Sequence, residues 1–273
     1  PILMIMGLGQ QLTAWPPALL DALAGSGLAP VVFDNRDIGL STKFDQHGIP
    51  NLLAMGLLHA LHLPVSAPYR VADMAADTAG LLSALGIARA HVLGVSMGGM
   101  IAQALAMGSP ERVASLTLVM TSSGDRRLPG PRPHARRALL ARPRSRDLPA
   151  LVEHGVSVWR AIGSPAYPPD DAQLRAKVER AIRRSYHPQG MARQLAAITA
   201  SGDRSPGLGA IRAPTLVIHG REDPLVRHEH GQDLARKIPG AQLELVDGMG
   251  HDLPAELMPR LAARIAAHCG AAG

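Results

Sequence analysis

Short apolar runs alternate with longer amphipathic segments along most of the chain. The runs are rich in Val, Ile, Leu and Met and lack the polar alternation of half-exposed strands, which is typical of strands buried on both faces. Strands of this kind, separated by helices, predict an α/β fold with a mostly parallel sheet covered by helices on both faces. The predicted strands are Ile2–Met6, Pro30–Phe33, His91–Val95, Ser115–Met120, Thr215–His219 and Gln242–Val246.

The segments between these runs have the period of helices. Between Val71 and Leu85, apolar side chains recur three or four positions apart, and Gly86 follows as a stop signal. Other segments of the same kind predict helices over Pro17–Ala24, from Met97 onward, and over about Ala255–Ala267.

The strand pattern stops between about Ser122 and Pro206. This stretch holds helical segments and no clear strand, so we predict a helical insertion between two strands of the sheet, where it would cap their carboxyl ends. The predicted division is a core domain of residues 1–121 and 207–273 and a cap of residues 122–206. The predicted cap helices are Leu148–Ile162, Asp171–Ser185 and Gly190–Thr199.

The composition is that of a globular protein. Hydrophobic residues make up 47% of the 273 residues, enough for one large domain with a sizeable core, and the lone Cys269 excludes an internal disulfide. No apolar run approaches the roughly 20 residues of a membrane helix, and the first residues lack the basic flank of a signal peptide. From the sequence we therefore expect a soluble, cytoplasmic protein without a membrane partner.

The formal net charge of +6 comes mainly from arginine. The densest group of arginines is interrupted by prolines and contains no aromatic residue on which a base could stack. We interpret it as a solvated, mobile surface and expect no nucleic-acid partner, the alternative being a patch for nucleic acid or an acidic protein. The group consists of Arg126, Arg127, Arg132, Arg136, Arg137, Arg142, Arg144 and Arg146.

The sequence Gly94-Val-Ser96-Met-Gly98 lies between a predicted strand and a predicted helix. In that context G-x-S-x-G is typical of a nucleophile elbow, a sharp turn that exposes the serine at the carboxyl end of the strand. The helix N-terminus directs free N–H groups toward the same point, where negative charge is favoured. Ser96 is therefore a candidate nucleophile, although the pattern alone is weak and could be an ordinary glycine-rich turn.

A serine hydroxyl needs a base, and the base needs an orienting acid. Asp223 and His251 follow the last two predicted strands and complete the chain order Ser, Asp, His. Alternatives remain at this stage: Asp223 could start a turn, His251 could cap the last helix, and Glu222 or Asp125 could be the acid. The pairs His59/His62 and His228/His230 have no carboxylate cluster beside them, so we expect no metal and no cofactor.

Five segments together resemble the α/β-hydrolase superfamily: I-M-G-L-G-Q-Q-L-T-A-W-P, F-D-N-R-D-I-G-L-S-T, G-V-S-M-G-G-M-I-A-Q, P-T-L-V-I-H-G-R-E-D-P and G-M-G-H-D-L-P. The chain is similar to bacterial serine esterases of the anthracycline (aclacinomycin-type) methyl esterase branch over nearly all its length, least in the Arg/Pro-rich segment. The resemblance implies an oxyanion hole formed by the backbone N–H groups of Leu8 and Met97.

The resulting hypothesis is a carboxylic-ester hydrolase that acts on a small-molecule ester through an acyl-enzyme. The same residues could serve perhydrolysis or carbon–carbon bond hydrolysis, or a non-catalytic ligand-binding homologue. The candidate pocket residues are Met6, Trp15 and Met100 from the core and Trp159, Ile162 and Tyr167 from the insertion, with simple core packing as the alternative for the methionines.

One departure from the superfamily concerns the edge of the sheet. Its members usually have two further strands before the strand that begins here at Ile2, so we expect the N-terminal antiparallel edge hairpin to be absent. Pro30–Phe33 would then lie at an open sheet edge, which is a pairing surface. Two explanations stay open: a homodimer partner covers this edge, or the sequence is a shortened form.

Overall fold

The computed structural model describes residues 1–272, in which six strands form one sheet. Every pairing between neighbouring strands is parallel, and the strand order is β2-β1-β3-β4-β5-β6. The order confirms the predicted α/β class and makes the described sheet fully parallel. The strands are β1 (Ile2–Ile5), β2 (Pro30–Val32), β3 (Ala90–Val95), β4 (Val113–Val119), β5 (Thr215–Gly220) and β6 (Gln242–Val246).

Eleven α-helices accompany these strands in the described residues. Four of them were not predicted from the sequence, namely the second, fifth, ninth and tenth. The helices are α1 (Pro17–Gly25), α2 (Leu52–Ala60), α3 (Val71–Ala84), α4 (Met97–Gly108), α5 (Pro133–Leu140), α6 (Leu148–Ile162), α7 (Asp171–Arg184), α8 (Pro188–Ser201), α9 (Ser205–Leu208), α10 (Glu229–Lys237) and α11 (Met258–Gly270).

The sheet has an apolar core on each face. In β1, Leu3 packs into one core together with α3 and α4, and its neighbour Met4 packs into the other with α1 and α11. Both side chains are fully buried. Successive strand residues point to opposite faces, so a strand buried on both faces must be apolar at every position. This explains the unbroken apolar runs in the sequence.

The long segment between β4 and β5 contains α5 to α9, as the interrupted strand pattern predicted. Within it, α6 and α7 pack on each other through a small apolar core of their own. The segment also contacts loops at the strand ends: His251 N donates to Ile162 O at 2.7 Å, and Gly9 N donates to Gln194 Oε1 at 2.9 Å. The treatment of residues 122–206 as a separate cap domain remains a prediction.

Strand β2 pairs with β1 alone and forms one edge of the sheet, where Pro30–Phe33 was expected. Closure of this edge by a second copy of the chain stays a prediction. Among the helices of residues 1–272, none combines the length and the apolar character that crossing a membrane requires.

Candidate active site

Ser96 lies in the turn between β3 and α4, with φ 55° and ψ −120°. This backbone conformation is rare for a residue other than glycine. Two hydrogen bonds hold it, from Ser96 N to Val119 O at 3.0 Å and from Thr121 Oγ1 to Ser96 O at 2.6 Å. The serine side chain makes no capping bond to the helix that it precedes, so its Oγ remains available to the site.

The glycines around Ser96 are required by close approaches of the backbone. A Cβ on Gly94 would lie 2.3 Å from Gly98 O, and a Cβ on Gly98 would lie 2.0 Å from Ile5 O. Both contacts are with main-chain oxygens, which cannot move aside as a flexible side chain could. The elbow can therefore pack against β1 only with glycine at these positions.

Ser96, His251 and Asp223 form a hydrogen-bonded row. His251 Nε2 lies 3.0 Å from Ser96 Oγ, and His251 Nδ1 lies 2.7 Å from Asp223 Oδ2. The three residues follow β3, β6 and β5, so the common carboxyl edge of the parallel sheet brings them together although they are far apart in sequence. Ser96 is partly exposed and Asp223 is fully buried, which places the hydroxyl at the accessible end of the row.

The environment of Asp223 favours its ionised form. Burial would raise the pKa of this carboxyl, but the charges and hydrogen bonds of His251 and His219 outweigh burial and hold the pKa well below its usual range. Its Oδ1 also accepts the N–H groups of Leu225 and Val226, both at 2.9 Å. In the neutral form of the imidazole, an ionised Asp223 favours the tautomer with the proton on Nδ1, which leaves Nε2 free to accept the Ser96 proton.

His219 is a contributor that the sequence analysis did not identify. It is the fifth residue of β5 and fully buried, its Nε2 donates to Val226 O at 2.7 Å, and the same nitrogen lies 3.6 Å from Asp223 Oδ2. A histidine inside an otherwise apolar strand, four positions before the aspartate, was the signal available in the sequence. Its measured contacts are with Asp223 and Val226, so it supports the carboxylate rather than the nucleophile.

The rival acids make other contacts. Asp125 pairs with Arg127 at 2.7 Å and with Lys237 at 2.8 Å, and these cations hold its pKa far below the usual range. Glu222 Oε2 accepts the N–H of Gly248 at 2.6 Å. Of the three acids considered from the sequence, Asp223 is the one that the structure places against the histidine.

Leu8 and Met97, the oxyanion donors that the resemblance implies, remain a prediction, and both lie in segments next to Ser96. Leu8 follows Gly7, and a Cβ on Gly7 would lie 3.1 Å from Ser96 Cβ, so the loop after β1 passes directly beside the serine. Met97 is the first residue of α4. Within residues 1–272, neither N–H donates to a protein acceptor. Two unpaired donors beside the hydroxyl are what a developing oxyanion needs.

The six candidate pocket residues lie in different places. Met6 and Trp15 pack into the core next to α1 and α11, and Met100 packs into the core on the other face. Ile162 is buried and meets the site through its carbonyl, which accepts His251 N. The structure therefore places the three residues from the sheet side in core packing, where a run of apolar side chains most often lies.

Trp159 and Tyr167 lie on the insertion side. Trp159 borders a cavity of about 700 Å³ that is also lined by Gly163 and Ser164, after α6, and by Glu222 and Pro224, after β5. The last two residues flank Asp223. The Lys177 ammonium lies 4.6 Å from the centre of the Trp159 ring. Tyr167 reaches the loop after β6, with its hydroxyl 3.5 Å from Asp247 O.

Three of the four histidines considered as metal ligands make other contacts, namely His59, His228 and His230. His59 Nδ1 lies 3.2 Å from an Arg126 nitrogen, and His230 is bonded to Ser122 Oγ at 2.8 Å and to Pro129 O at 3.0 Å. His228 Nδ1 lies 3.2 Å from Arg221 O.

In residues 1–272, Asp37, Asp45 and His187 are the one group of three side chains close enough to share a metal ion. The Arg193 guanidinium lies 2.7 Å from both carboxylates and 3.0 Å from His187 Nε2. A cation of the protein itself therefore already compensates this group.

A family model and several known proteins match large parts of the chain, and one relative matches its whole length. A family model described as the alpha/beta hydrolase fold matches residues 1–256. Rhodomycin D methylesterase DauP of Streptomyces sp. (strain C5) is 29% identical over 301 residues, which cover 100% of this chain and 91% of the relative. A 2-hydroxy-6-oxononadienedioate/2-hydroxy-6-oxononatrienedioate hydrolase of Cupriavidus pinatubonensis is 34% identical over 180 residues, 63% of this chain and 59% of the relative.

Solved structures agree on the architecture. The enol-lactonase from Burkholderia xenovorans LB400 superposes with a TM-score of 0.72 at 23% identity, covering 98% of this chain and 90% of that one. The meta-cleavage product hydrolase from Pseudomonas fluorescens IP01 superposes with a TM-score of 0.77 at 21% identity, covering 100% and 91%. At these identities the likeness supports the fold alone. With the family model matched over nearly all its length, the chain belongs to the α/β-hydrolase family.

Proposed function

We propose that the protein hydrolyses carboxylic esters through a covalent acyl-enzyme on Ser96. The observation that carries this proposal is the continuous row from Ser96 Oγ through His251 to Asp223, with separations of 3.0 and 2.7 Å. A serine in that row can lose its proton to the imidazole at the moment when it attacks.

The first half of the reaction forms the acyl-enzyme. Ser96 Oγ bonds to the ester carbonyl carbon while His251 Nε2 takes the hydroxyl proton. The carbonyl oxygen becomes an oxyanion between the N–H groups of Leu8 and Met97, and such a donor is worth about 3–4 kcal/mol in the transition state. The intermediate then breaks its bond to the alcohol oxygen, which leaves with the proton from His251.

The second half releases the acid. Water gives a proton to His251 Nε2 and attacks the acyl carbon, a second oxyanion forms between the same two N–H groups, and Ser96 Oγ leaves with the proton. Asp223 keeps the imidazole in the required tautomer throughout and stabilises its positive charge. No step in this sequence calls for a metal or an organic cofactor.

Methyl esters of bulky acids are the proposed substrate class. This narrower proposal is supported by two rhodomycin D methylesterases, 29% and 28% identical, that match 100% of this chain. The second candidate is carbon–carbon bond hydrolysis, which is favoured by the 34% identical relative of that type over 180 residues. Perhydrolysis of an ester on the same three residues is a further outcome of the test.

The test compares the wild type with three single variants. A fluorophosphonate should label the wild type and Asp125→Asn but not Ser96→Ala. Asp223→Asn should lower kcat by about 10⁴-fold because the wrong histidine tautomer is then held. Asp125→Asn is the matched control, since Asp125 is also a buried acid, but its partners are Arg127 and Lys237 rather than His251.

Comparing rates with different substrates distinguishes ester hydrolysis from carbon–carbon bond hydrolysis and from perhydrolysis. We expect a larger kcat/KM for aromatic methyl esters than for 2-hydroxy-6-oxo dienoates, and the reverse order would favour the carbon–carbon hydrolase. Peracid formation in the presence of hydrogen peroxide at a rate above that of hydrolysis would favour the perhydrolase. Labelling of Ser96→Ala at the wild-type rate would show that the nucleophile is another residue.

A further inference from the structure

Gln194 connects the helical insertion to the loop that carries Leu8. The side chain projects from α8 and is fully buried. Its Oε1 accepts the N–H of Gly9 at 2.9 Å, and its Nε2 donates to Arg36 O at 2.9 Å. One amide group thus satisfies backbone atoms of two different loops, those after β1 and after β2.

The contact with Gly9 lies one residue beyond the candidate oxyanion donor. Gly9 has φ +69°, a conformation that suits glycine and turns the chain sharply after Leu8. The same loop is held at its start by Asn35 Nδ2, which donates to Met6 O at 2.9 Å, and internally by Gln10 N, which donates to Gly7 O at 3.2 Å. Gln194 adds a hydrogen bond to this loop from the helical insertion, through the Gly9 N–H.

These bonds occupy the two N–H groups that follow Leu8, whereas the Leu8 N–H, next to the Gly7 that approaches Ser96, donates to no protein acceptor within residues 1–272. The Gly9 N–H is occupied by Gln194, and the Gln10 N–H is occupied by Gly7 O. Helix α8 also packs tightly here, since a Cβ on Gly9 would lie 2.9 Å from Met191 Sδ. The fixed peptide between Leu8 and Gly9 therefore limits how the preceding peptide, which carries the Leu8 N–H, can turn.

We propose that Gln194 is a positioning residue. It holds the loop after β1 so that the Leu8 N–H can donate to the developing negative charge. The inference rests on the proposed function and extends it, because it makes the insertion a contributor to transition-state stabilisation as well as to access. Without Oε1, the half-buried Gly9 N–H would lose its protein acceptor unless the loop rearranged to find another. Such a rearrangement would move the Leu8 N–H.

Gln194→Met tests this inference because methionine is similar in size but makes neither hydrogen bond. We expect kcat to fall about 10- to 100-fold, with KM changed by less than about threefold, as for loss of an interaction made in the transition state. The affinity for an aryl boronic acid, which forms a tetrahedral anion on the serine, should fall by a similar factor. Affinity for the product carboxylic acid should stay the same.

Two further variants distinguish a role of Gln194 in positioning the Leu8 N–H from a role in the stability of the fold alone. Gln194→Glu keeps an acceptor for Gly9 and loses the donor to Arg36 O, so it should retain more of the wild-type kcat than Gln194→Met. Gln103→Met is the matched control: Gln103 is equally buried and also makes two hydrogen bonds, to Ser122 O and from Arg204. It should lower the free energy of unfolding and leave kcat unchanged.

The rate of fluorophosphonate labelling distinguishes the possible failures. A wild type that is labelled at Ser96, together with a Gln194→Met variant labelled equally fast and equally sensitive to the boronic acid, would overturn the role of Gln194 and leave the proposed function standing. A wild type that is neither labelled nor able to cleave esters would overturn the proposed function itself. Equal losses of kcat in Gln194→Met and Gln103→Met would also overturn the positioning role.

Discussion

Ser96 has a backbone conformation that costs free energy, and the surrounding residues maintain it. A non-glycine residue in the left-handed region costs about 1–3 kcal/mol, so it persists only where its neighbours fix it. Here the fixing contacts are the hydrogen bonds of Ser96 to Val119 at the end of β4 and to Thr121 just beyond it, together with the close packing of Gly98 against Ile5 O of β1. The glycines at positions 94 and 98 are therefore needed to hold Ser96 in this conformation, as the serine itself is needed for the chemistry.

Gly98→Ala tests this account. The new Cβ would lie 2.0 Å from Ile5 O, so α4 must move away from β1, and we expect the free energy of unfolding to fall by about 1–3 kcal/mol or more. Because α4 begins at Met97, kcat should fall as well. The control is Gly108→Ala, in the same helix, where a Cβ meets no atom within 4 Å.

Urea unfolding and ester kinetics measure both effects. Gly108→Ala should unfold at the urea midpoint of the wild type or slightly above it, since alanine favours helix. Equal midpoints for the two alanine variants would contradict the close packing of the elbow against β1.

Single elements differ in how well the sequence predicts them. All six strands were predicted within about two residues. The four inner strands are almost entirely buried and must be apolar throughout, whereas the edge strands β2 and β6 are only partly buried. Helix α2 was missed because it is apolar on nearly every side: Leu53 is 86% exposed and Leu57 is 62% exposed, so no amphipathic period marks it. Helix α5 was missed because the Arg/Pro-rich composition of its segment resembles a loop.

The residues of the candidate site also differ in whether the sequence could predict them. Ser96, Asp223 and His251 each follow a predicted strand, and a parallel sheet brings such positions to one edge, so a topological argument suffices to group them. Gln194 is 185 positions from the residue that it contacts, and its role depends on how α8 packs on two loops. Neither periodicity nor a local motif carries that information, so the contact could be found only in the folded chain.

Helices α6 and α7 are expected to select substrates. Trp159 borders a cavity whose lining includes Glu222 and Pro224, the chain neighbours of Asp223, and the Lys177 ammonium lies 4.6 Å from the centre of its ring. We expect Trp159→Ala to lower kcat/KM for a bulky aromatic methyl ester by about tenfold or more, as loss of a large apolar contact would, while the value for a small acetate ester changes little.

A series of esters from acetate to a bulky aromatic methyl ester measures this change of ranking. Tyr186→Ala is the control, because Tyr186 also belongs to the insertion but is 48% exposed. A uniform loss over the whole series in Trp159→Ala would mean that the ring has a packing role alone.

On the scale of the whole molecule, buried ion pairs join the insertion to the core. Arg193 of α8 is 1% exposed and lies 2.7 Å from the fully buried Asp37, and Arg184 of α7 lies 2.8 Å from Asp34. Burial would raise the pKa of both carboxyls, but the hydrogen bonds of Arg193 and Arg184 and of nearby backbone N–H groups outweigh it and lower each pKa. Both acids lie in the loop after β2, so the charges fix the insertion against that loop.

These pairs predict a loss of stability in acid. Since the native pKa values of Asp34 and Asp37 lie below the ordinary value of about 3.9, the unfolded chain binds more protons than the native chain near that pH. The contribution of both acids to the free energy of unfolding is therefore complete at neutral pH and declines as the pH falls below about 5. Urea midpoints measured between pH 7 and pH 4 should decrease accordingly.

Arg193→Met should remove the larger part of this effect. Asp37 would then be buried without its cation, and breaking a buried pair from one side costs about 3–5 kcal/mol at neutral pH. The acid dependence should become shallower at the same time, because the pKa of Asp37 would no longer be lowered by the guanidinium. Arg175→Met is the matched control, since the Arg175–Glu153 pair is exposed on both sides and such pairs contribute at most about 1 kcal/mol. If Arg193→Met lost no more stability at pH 7 than Arg175→Met, the insertion would be held by its apolar contacts and hydrogen bonds rather than by charge.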